Sequence, residues 1–431
     1  MKSVASVNNP VFFQGNLEHS QANRPNAPGY YLKRLGAIFL LAFAMLLGAF
    51  FWLLGPPQLS WAAGPPLRYV ASGGQDSGND CSRSYNPCAT IQYAVTQADA
   101  GDEIRVAGGT YTGTVTLNKS ISLRGGFTTT NWVTADPVQH QTTIDAQGGG
   151  RVLHNNQFIS ATVSGFYLTG GQITGGQGAG IYNEGDLTLE DNRIYNNQVV
   201  GGPGGGIANI RNTNLTLRGN KIFSNTTDNL GGGLVIYSGT VTIEANEIYN
   251  NIAAAGGGIG IFDGLITQKN NLIYENRANN AVAGGGGVYL IDGRANLDNN
   301  TVYNNNGDKG GGIYVFNNTV VLTVTNSLIV SNTAAAGNGD GIHFASTGVI
   351  SNINHNDFFG SPADNKYIYD GSLIDPTTLG SNNRITNPLF TNGLHLSFNS
   401  PAKDAASIGA SVTEDFEGDG RPFGSAHTLP F

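Results

Sequence analysis

Positive charge is scarce in this chain. Lys and Arg number 22 against 30 Asp and Glu, a formal net charge of −8 over 431 residues. That balance argues against a nucleic-acid partner, which calls for a basic face. Charged residues of both signs make up only 12%, about half the usual share. Cysteine is nearly absent. Cys81 and Cys88 stand alone in GNDCSRSYNPCATIQ with no His nearby, so a zinc site lacks its ligands. Glycine is the opposite case, at 62 residues, but the strict period of three that collagen needs is missing. Apolar residues reach 39% in evenly spaced blocks, which excludes a disordered chain.

The N-terminus holds the one long apolar run. Leu35 to Leu54 is 20 residues without a charge, and Lys33 and Arg34 stand just before it. The run is long enough to span a bilayer, with its positive flank in the cytoplasm. Ser60-Trp61-Ala62 follows as a small-x-small cleavage site. A cleaved signal and a retained membrane anchor both fit. Either way residues 63–431 are expected outside the cytoplasm, at the cell surface or secreted. In that compartment a Cys81–Cys88 disulfide is the first reading, and two free thiols are the alternative.

The rest of the chain repeats. A Gly-rich entry precedes Ile181, Ile207, Leu234, Ile259, Val288, Ile313 and Ile342, in steps of 25 to 29 residues. An 11-residue tail recurs in register: LTLEDNRIYNN, LTLRGNKIFSN, VTIEANEIYNN, ITQKNNLIYEN, ANLDNNTVYNN, LTVTNSLIVSN. A period of this length means a stacked array. Val, Ile and Thr alternate at period 2 between Gly and Asn punctuation, which excludes helical repeats. Three short strands with three turns fit in one period and describe one coil of a parallel β-helix, with coils about 4.8 Å apart.

Stacking turns each tail position into a ladder. The first and third positions, such as Leu187 and Leu189, should point inward, with the Thr188 row between them pointing out. The sixth is Asn192, Asn220, Asn246, Asn271 and Asn300, where Asn tolerates a left-handed bend and stacked amides hydrogen-bond up the ladder. The ninth, Tyr195, Phe223, Tyr249, Tyr274 and Tyr303, should face out. Glycine supplies positive φ and close approach at the turn into the next strand.

The pattern resembles the right-handed parallel β-helix proteins of bacterial surfaces, in the superfamily that includes pectate lyases. The resemblance implies an all-β solenoid of right-handed coils over residues 104–361. PCATIQYAVTQADAGDEI is similar to the N-terminal cap of that group, and Ile91, Ala94, Val95 and Ala98 have the spacing of a short amphipathic helix lying over the first coil. Residues 63–103 then form that cap, residues 1–62 the leader with signal or anchor, and 362–431 a C-terminal segment. There NPLFTNGLHLSFNSPAKDAASIGASVTEDFEGDGRPFG resembles a type Q choice-of-anchor segment. Its usual closing Asp-Ile-Gly-Ala-x-Glu is replaced by SAHTLPF, which favours capping over sorting. DFEGDG suggests a calcium loop, but Ala426 stands at its twelfth position in place of Glu. No other cofactor or metal is indicated.

Catalysis on such a face needs convergent acids and bases. The fourth tail position reads Glu190, Arg218, Glu244, Lys269, Asp298, an alternation that neutralises itself. Asp340 and His343 sit in GNGDGIH without a partner motif. Asp263 and Asp292 stack on consecutive coils and are the remaining candidates for a catalytic dyad or half a metal site, against simple Asp-Gly turn chemistry. Tyr195, Tyr249, Tyr274 and Tyr303 are candidate ligand-binding residues, since an outward aromatic row can meet sugar rings, unless the loops TTDNLG and RANNAVAG bury it. The sequence therefore favours an exported surface module that binds a polysaccharide or cell-surface glycan. The alternative is a polysaccharide lyase or glycoside hydrolase.

Overall fold

A computed structural model describes residues 64–407, apart from 281–283, 336–337, 361–367, 371, 392–393 and 404. The apolar run 35–54, the cleavage site and DFEGDG lie outside the described residues. Among the described residues no helix is long and apolar enough to cross a membrane.

The chain winds as a right-handed parallel β-solenoid. Residues 207–236 trace one coil. Ile207–Asn209 lies in the third sheet, Thr213–Arg218 in the first, Lys221–Phe223 in the second and Thr226–Thr227 in the fourth, before Leu234–Ile236 rejoins the third. Among the described residues the first and third sheets have 11 strands each, the second 10 and the fourth 5. All neighbours pair parallel except Ile368–Asp370 with Leu373–Ile374, which close the third sheet as an antiparallel pair. Leu187, Leu215, Val241 and Ile266 stack in register, as do Ile194, Ile222, Ile248 and Ile273, and all are buried. The Thr188, Thr216, Thr242 row between the inward residues is half-buried.

Coils from Val288 onward have the expected three strands, while those between Gln172 and Ala278 add a short fourth, because the chain turns a corner twice with the same device. At the first corner the residue before the ladder Asn takes a left-handed φ: Asp191 (54°), Gly219 (65°), Ala245 (53°), Asn270 (56°) and Asn299 (57°). The ladder Asn itself is absent from that set. It works by hydrogen bonding. Asn220 Nδ2 donates to Asn246 Oδ1 (3.0 Å) and to the Leu189 carbonyl (2.8 Å), while its own Oδ1 accepts Asn192 N (3.0 Å). Asn192, Asn220, Asn246, Asn271 and Asn300 join this way along the stack. The second corner repeats the pair. Asn196, Ser224, Asn250, Glu275 and Asn304 are left-handed, and Asn197, Asn225, Asn251, Asn276 and Asn305 form a second amide ladder. That corner starts the fourth strand.

The glycine triplet then returns the chain, and its members serve different needs. The first supplies the positive φ: Gly204 (76°), Gly231 (74°), Gly256 (57°). The second has no room for a side chain, since a Cβ on Gly232 would stand 2.5 Å from the Gly257 carbonyl oxygen and 2.7 Å from that of Ile252. The third rests on the second amide ladder, with a Cβ on Gly233 only 3.0 Å from Asn251 Nδ2. The loop TTDNLG so returned reaches the outer face of the third sheet, where Leu230 packs on Gly260.

The solenoid begins before residue 104. Leu67–Val70 pairs with Glu103–Val106, and the open side of that strand is closed by the disulfide segment through Tyr69 N to the Cys81 carbonyl, Cys88 N to the Tyr69 carbonyl and Ala71 N to the Cys88 carbonyl. Cys81 and Cys88 are bonded and fully buried, so this loop shields a sheet edge that would otherwise stay unpaired. The helix Ile91–Gln97 starts at Thr90, whose side chain accepts Tyr93 N, and it buries Ile91, Ala94 and Val95 against the same core. At the other end Phe390, Leu396, Ala402, Ala405 and Ala406 pack on Tyr303, Leu328 and Val330.

Candidate functional site

The tyrosine row does not offer ring faces to solvent. Tyr195, Phe223, Tyr249 and Tyr274 stack on one another with centroids 4.8 to 5.1 Å apart and planes within 5° of parallel. Rings that close cannot lie side by side in one plane, so each face is turned to the ring of the next coil and only edges point outward. All four are half-buried. Tyr274 also donates to Glu247 Oε2 (3.2 Å), and burial pushes the phenols of Tyr249 and Tyr274 up. Tyr303 meets Phe390 edge-on, under the C-terminal segment.

Asp263 and Asp292 are occupied by their turns. Asp263 Oδ1 accepts Gly264 N (2.7 Å) and Asp292 Oδ1 accepts Gly293 N (2.8 Å). Asp340 Oδ1 likewise accepts Ala334 N, and His343 is buried, bonded through Nδ1 to the Asn338 carbonyl, with desolvation lowering its pKa. In the charge ladder, Arg218 joins Glu190 (3.7 Å) and Glu244 (3.0 Å), while Asp298 accepts Thr325 Oγ1 and Asn326 Nδ2. Among the described residues no group of three His, Cys, Asp or Glu could hold a metal ion.

A convergent cluster stands elsewhere, on the outer face of the third sheet and the turn that follows it. The strands Leu153–Asn155, Ile181–Asn183 and Ile207–Asn209 send their first and third residues inward and their middle residues, His154, Tyr182 and Ala208, outward. The inward third residues form a third amide ladder, Asn155 Nδ2 to Asn183 Oδ1 (2.8 Å) and Asn183 Nδ2 to Asn209 Oδ1 (2.7 Å). Their amides also hold the turns, donating to the carbonyls of Asp186, Gly185 and Ser238. The next four coils place Ile236, Ile261, Leu290 and Val315 at this position, so the amide ladder stops at Asn209, beneath the cluster.

On that support Glu184 accepts Arg211 Nε (3.1 Å) on Oε1 and bonds His154 Nε2 (3.1 Å) on Oε2. Partial burial pushes the Glu184 carboxyl up, but the bonds to His154 and Arg211 outweigh it and hold it below the usual range. Burial and the Glu184 charge push the Tyr182 phenol up, against Arg151 and Arg211. The Arg151 guanidinium lies 4.2 Å from the Tyr182 ring centroid. Beside the cluster runs a groove of 420 Å³ lined by Phe158, Glu184, Asp186, Arg211, Asn212 and Thr213, among others. Phe158 is 89% exposed with φ of 66°. A larger groove of 580 Å³ lies over the fourth sheet, but no aromatic ring lines it and its carboxylate, Asp228, accepts Gly201 N.

The tail motifs pointed away from this site, because its residues lie in the shorter segments between tails. IYNEGD and IANIRN carried the signal. Each sets an Asn at the third position of its strand and a charge, Glu184 or Arg211, just past it.

Fold and face together define a parallel β-solenoid with a polar cluster on one outer sheet. The right handed beta helix region family matches residues 85–277 and 224–390, and the chain belongs to it. No curated protein matches the chain. Among solved structures, pectate lyase Pel9A is 16% identical, covering 85% of this chain and 96% of that one at a TM-score of 0.45. XylC in complex with xylose is 10% identical, covering 84% and 98% at 0.42. Likenesses this distant do not bear on what this chain binds.

Proposed function

We propose that the chain is an exported surface module that binds carbohydrate without turning it over. The observation that carries this reading is Phe158, a ring standing in solvent at the rim of a groove walled by hydrogen-bonding side chains. Pyranose rings pair an apolar face with a rim of hydroxyls, and that combination matches an exposed ring beside polar walls. The same cluster speaks against catalysis. Both Glu184 oxygens are already bonded, and a carboxyl held below its usual range is a poor general acid. A phenol pushed up, as at Tyr182, stays protonated and is a poor base.

Export rests on Lys33-Arg34, the run 35–54 and Ser60-Trp61-Ala62, with membrane attachment through 35–54 if that run is retained. The buried disulfide supports an oxidising compartment. The segment resembling a choice-of-anchor acts as a cap in this reading, supported by the packing of Ala402, Ala405 and Ala406.

The test is affinity electrophoresis of the full chain in gels holding xylan, mannan, mixed-linkage glucan, pectate or alginate. Reducing-sugar and unsaturated-product assays run on the same polymers. Retardation with no product supports the reading. Product release in proportion to protein would sink the non-catalytic part and point to the lyase or hydrolase alternative.

A further inference from the structure

We infer that the groove at Phe158 binds uncharged pyranose units, and that Phe158, Asp186 and Arg211 are the residues that hold them. This rests on the carbohydrate reading above and narrows it to one site and one ligand class.

Phe158 is costly where it stands. A bulky side chain with φ of 66° occupies a region that Gly or Asn would fill with less strain. At 89% exposure its ring adds almost nothing to the core. Among the described residues no second ring or cation lies over it, unlike exposed Tyr85 and Phe398, which carry Arg83 and Lys403. Strain and a bare ring at the rim of a groove are both offset when a ligand's apolar face covers the ring.

The polar walls set the class of ligand. Arg211 spends Nε on Glu184, and among the described residues its two Nη groups have no partner. Asp186 Oδ1 accepts Asn214 N (2.8 Å), which leaves Oδ2 as a further acceptor. Free donors therefore stand in the same groove as a free acceptor. A hydroxyl donates and accepts at once and satisfies both. A carboxylate or sulfate only accepts, and it would face Asp186 unpaired. The groove holds two carboxylates against one guanidinium, in a chain of net charge −8, so an anionic sugar is repelled and a neutral one is not. The volume, 420 Å³, lies within the span of small-ligand clefts, roughly 300–1,000 Å³.

The full chain is titrated calorimetrically with xylohexaose, mannohexaose and cellohexaose as neutral probes and with hexagalacturonate as the acidic one. The expected result is binding of a neutral probe that is insensitive to salt and weakened about tenfold or more by Phe158→Ala and by Asp186→Asn. Phe158→Gly should weaken it equally while raising the melting temperature, because it relieves the backbone; that separates loss of binding from loss of fold. Neutral binding that survives Phe158→Ala and Asp186→Asn overturns the site and leaves the carbohydrate reading standing. Salt-sensitive binding of hexagalacturonate lost in Arg211→Gln overturns the ligand class. Silence from every probe, neutral and acidic, overturns this inference and the carbohydrate reading together.

Discussion

Gln268 sits where the stack asks for an aliphatic residue. It lies in register between Ile243 and Leu297 on the inward row of the first sheet. It is fully buried, and neither Nε2 nor Oε1 has a hydrogen-bond partner. An unsatisfied buried amide costs about 1–3 kcal/mol. Gln268→Met keeps the unbranched shape and nearly the volume while removing both polar atoms. The variant should therefore be more stable by about 1–3 kcal/mol. With a urea m-value of about 3 kcal/mol/M, the unfolding midpoint followed by circular dichroism moves up by about 0.3–1 M. Gln268→Glu should move it down, since an unpaired charge is buried in place of a dipole. A Gln268→Met midpoint at or below that of the parent would refute the reasoning, and would mean that the amide is hydrogen-bonded in the native core.

The glycine triplet, the acid cluster and the aromatic row give three further expectations. Gly232→Ala should cost about 2 kcal/mol or more in the same unfolding assay although its φ is ordinary, because the new Cβ strikes two carbonyls, whereas Gly73→Ala, with nothing within 4 Å, should be neutral. The Glu184 carboxyl is depressed in the fold, so its contribution is present above the unfolded carboxyl pKa and lost as pH falls through the folded one. Melting temperatures taken from about pH 6 down to about pH 3 should therefore fall less steeply in Glu184→Gln than in the parent. Tyr249→Ala loses stacking on both Phe223 and Tyr274 and should destabilise by about 1–3 kcal/mol beyond the lost area, with glycan binding unchanged; a binding defect at full stability would restore the row as a ligand platform.

The coil was legible because stacking forces each position to one side-chain type. Leu187, Leu215, Val241 and Ile266 announce an inward row without any structure in hand. The second corner was harder. Asn197 and Asn225 close the tails in plain view, but an Asn-rich ending reads equally well as a loop, and only the left-handed residues before them show that a fourth strand begins. The tyrosine row failed for a different reason. Period-2 alternation says that Tyr249 points outward, and the structure agrees, yet alternation is silent on ring rotation. At the 4.8 Å coil spacing, parallel stacking is what an aromatic ladder adopts. The groove was least legible, since Phe158, Asp186 and Arg211 come from turns of three successive coils and no single stretch brings them together.

A crystal of the full chain soaked with whichever neutral hexasaccharide binds in the calorimeter tests the central claim most directly. The account predicts a sugar ring against Phe158, with its hydroxyls on the Asp186 carboxylate and the Arg211 guanidinium, and Glu184 still bonded to His154 and Arg211. A sugar seated on the Tyr195–Tyr274 row or over the fourth sheet, with the Phe158 groove empty, would contradict it.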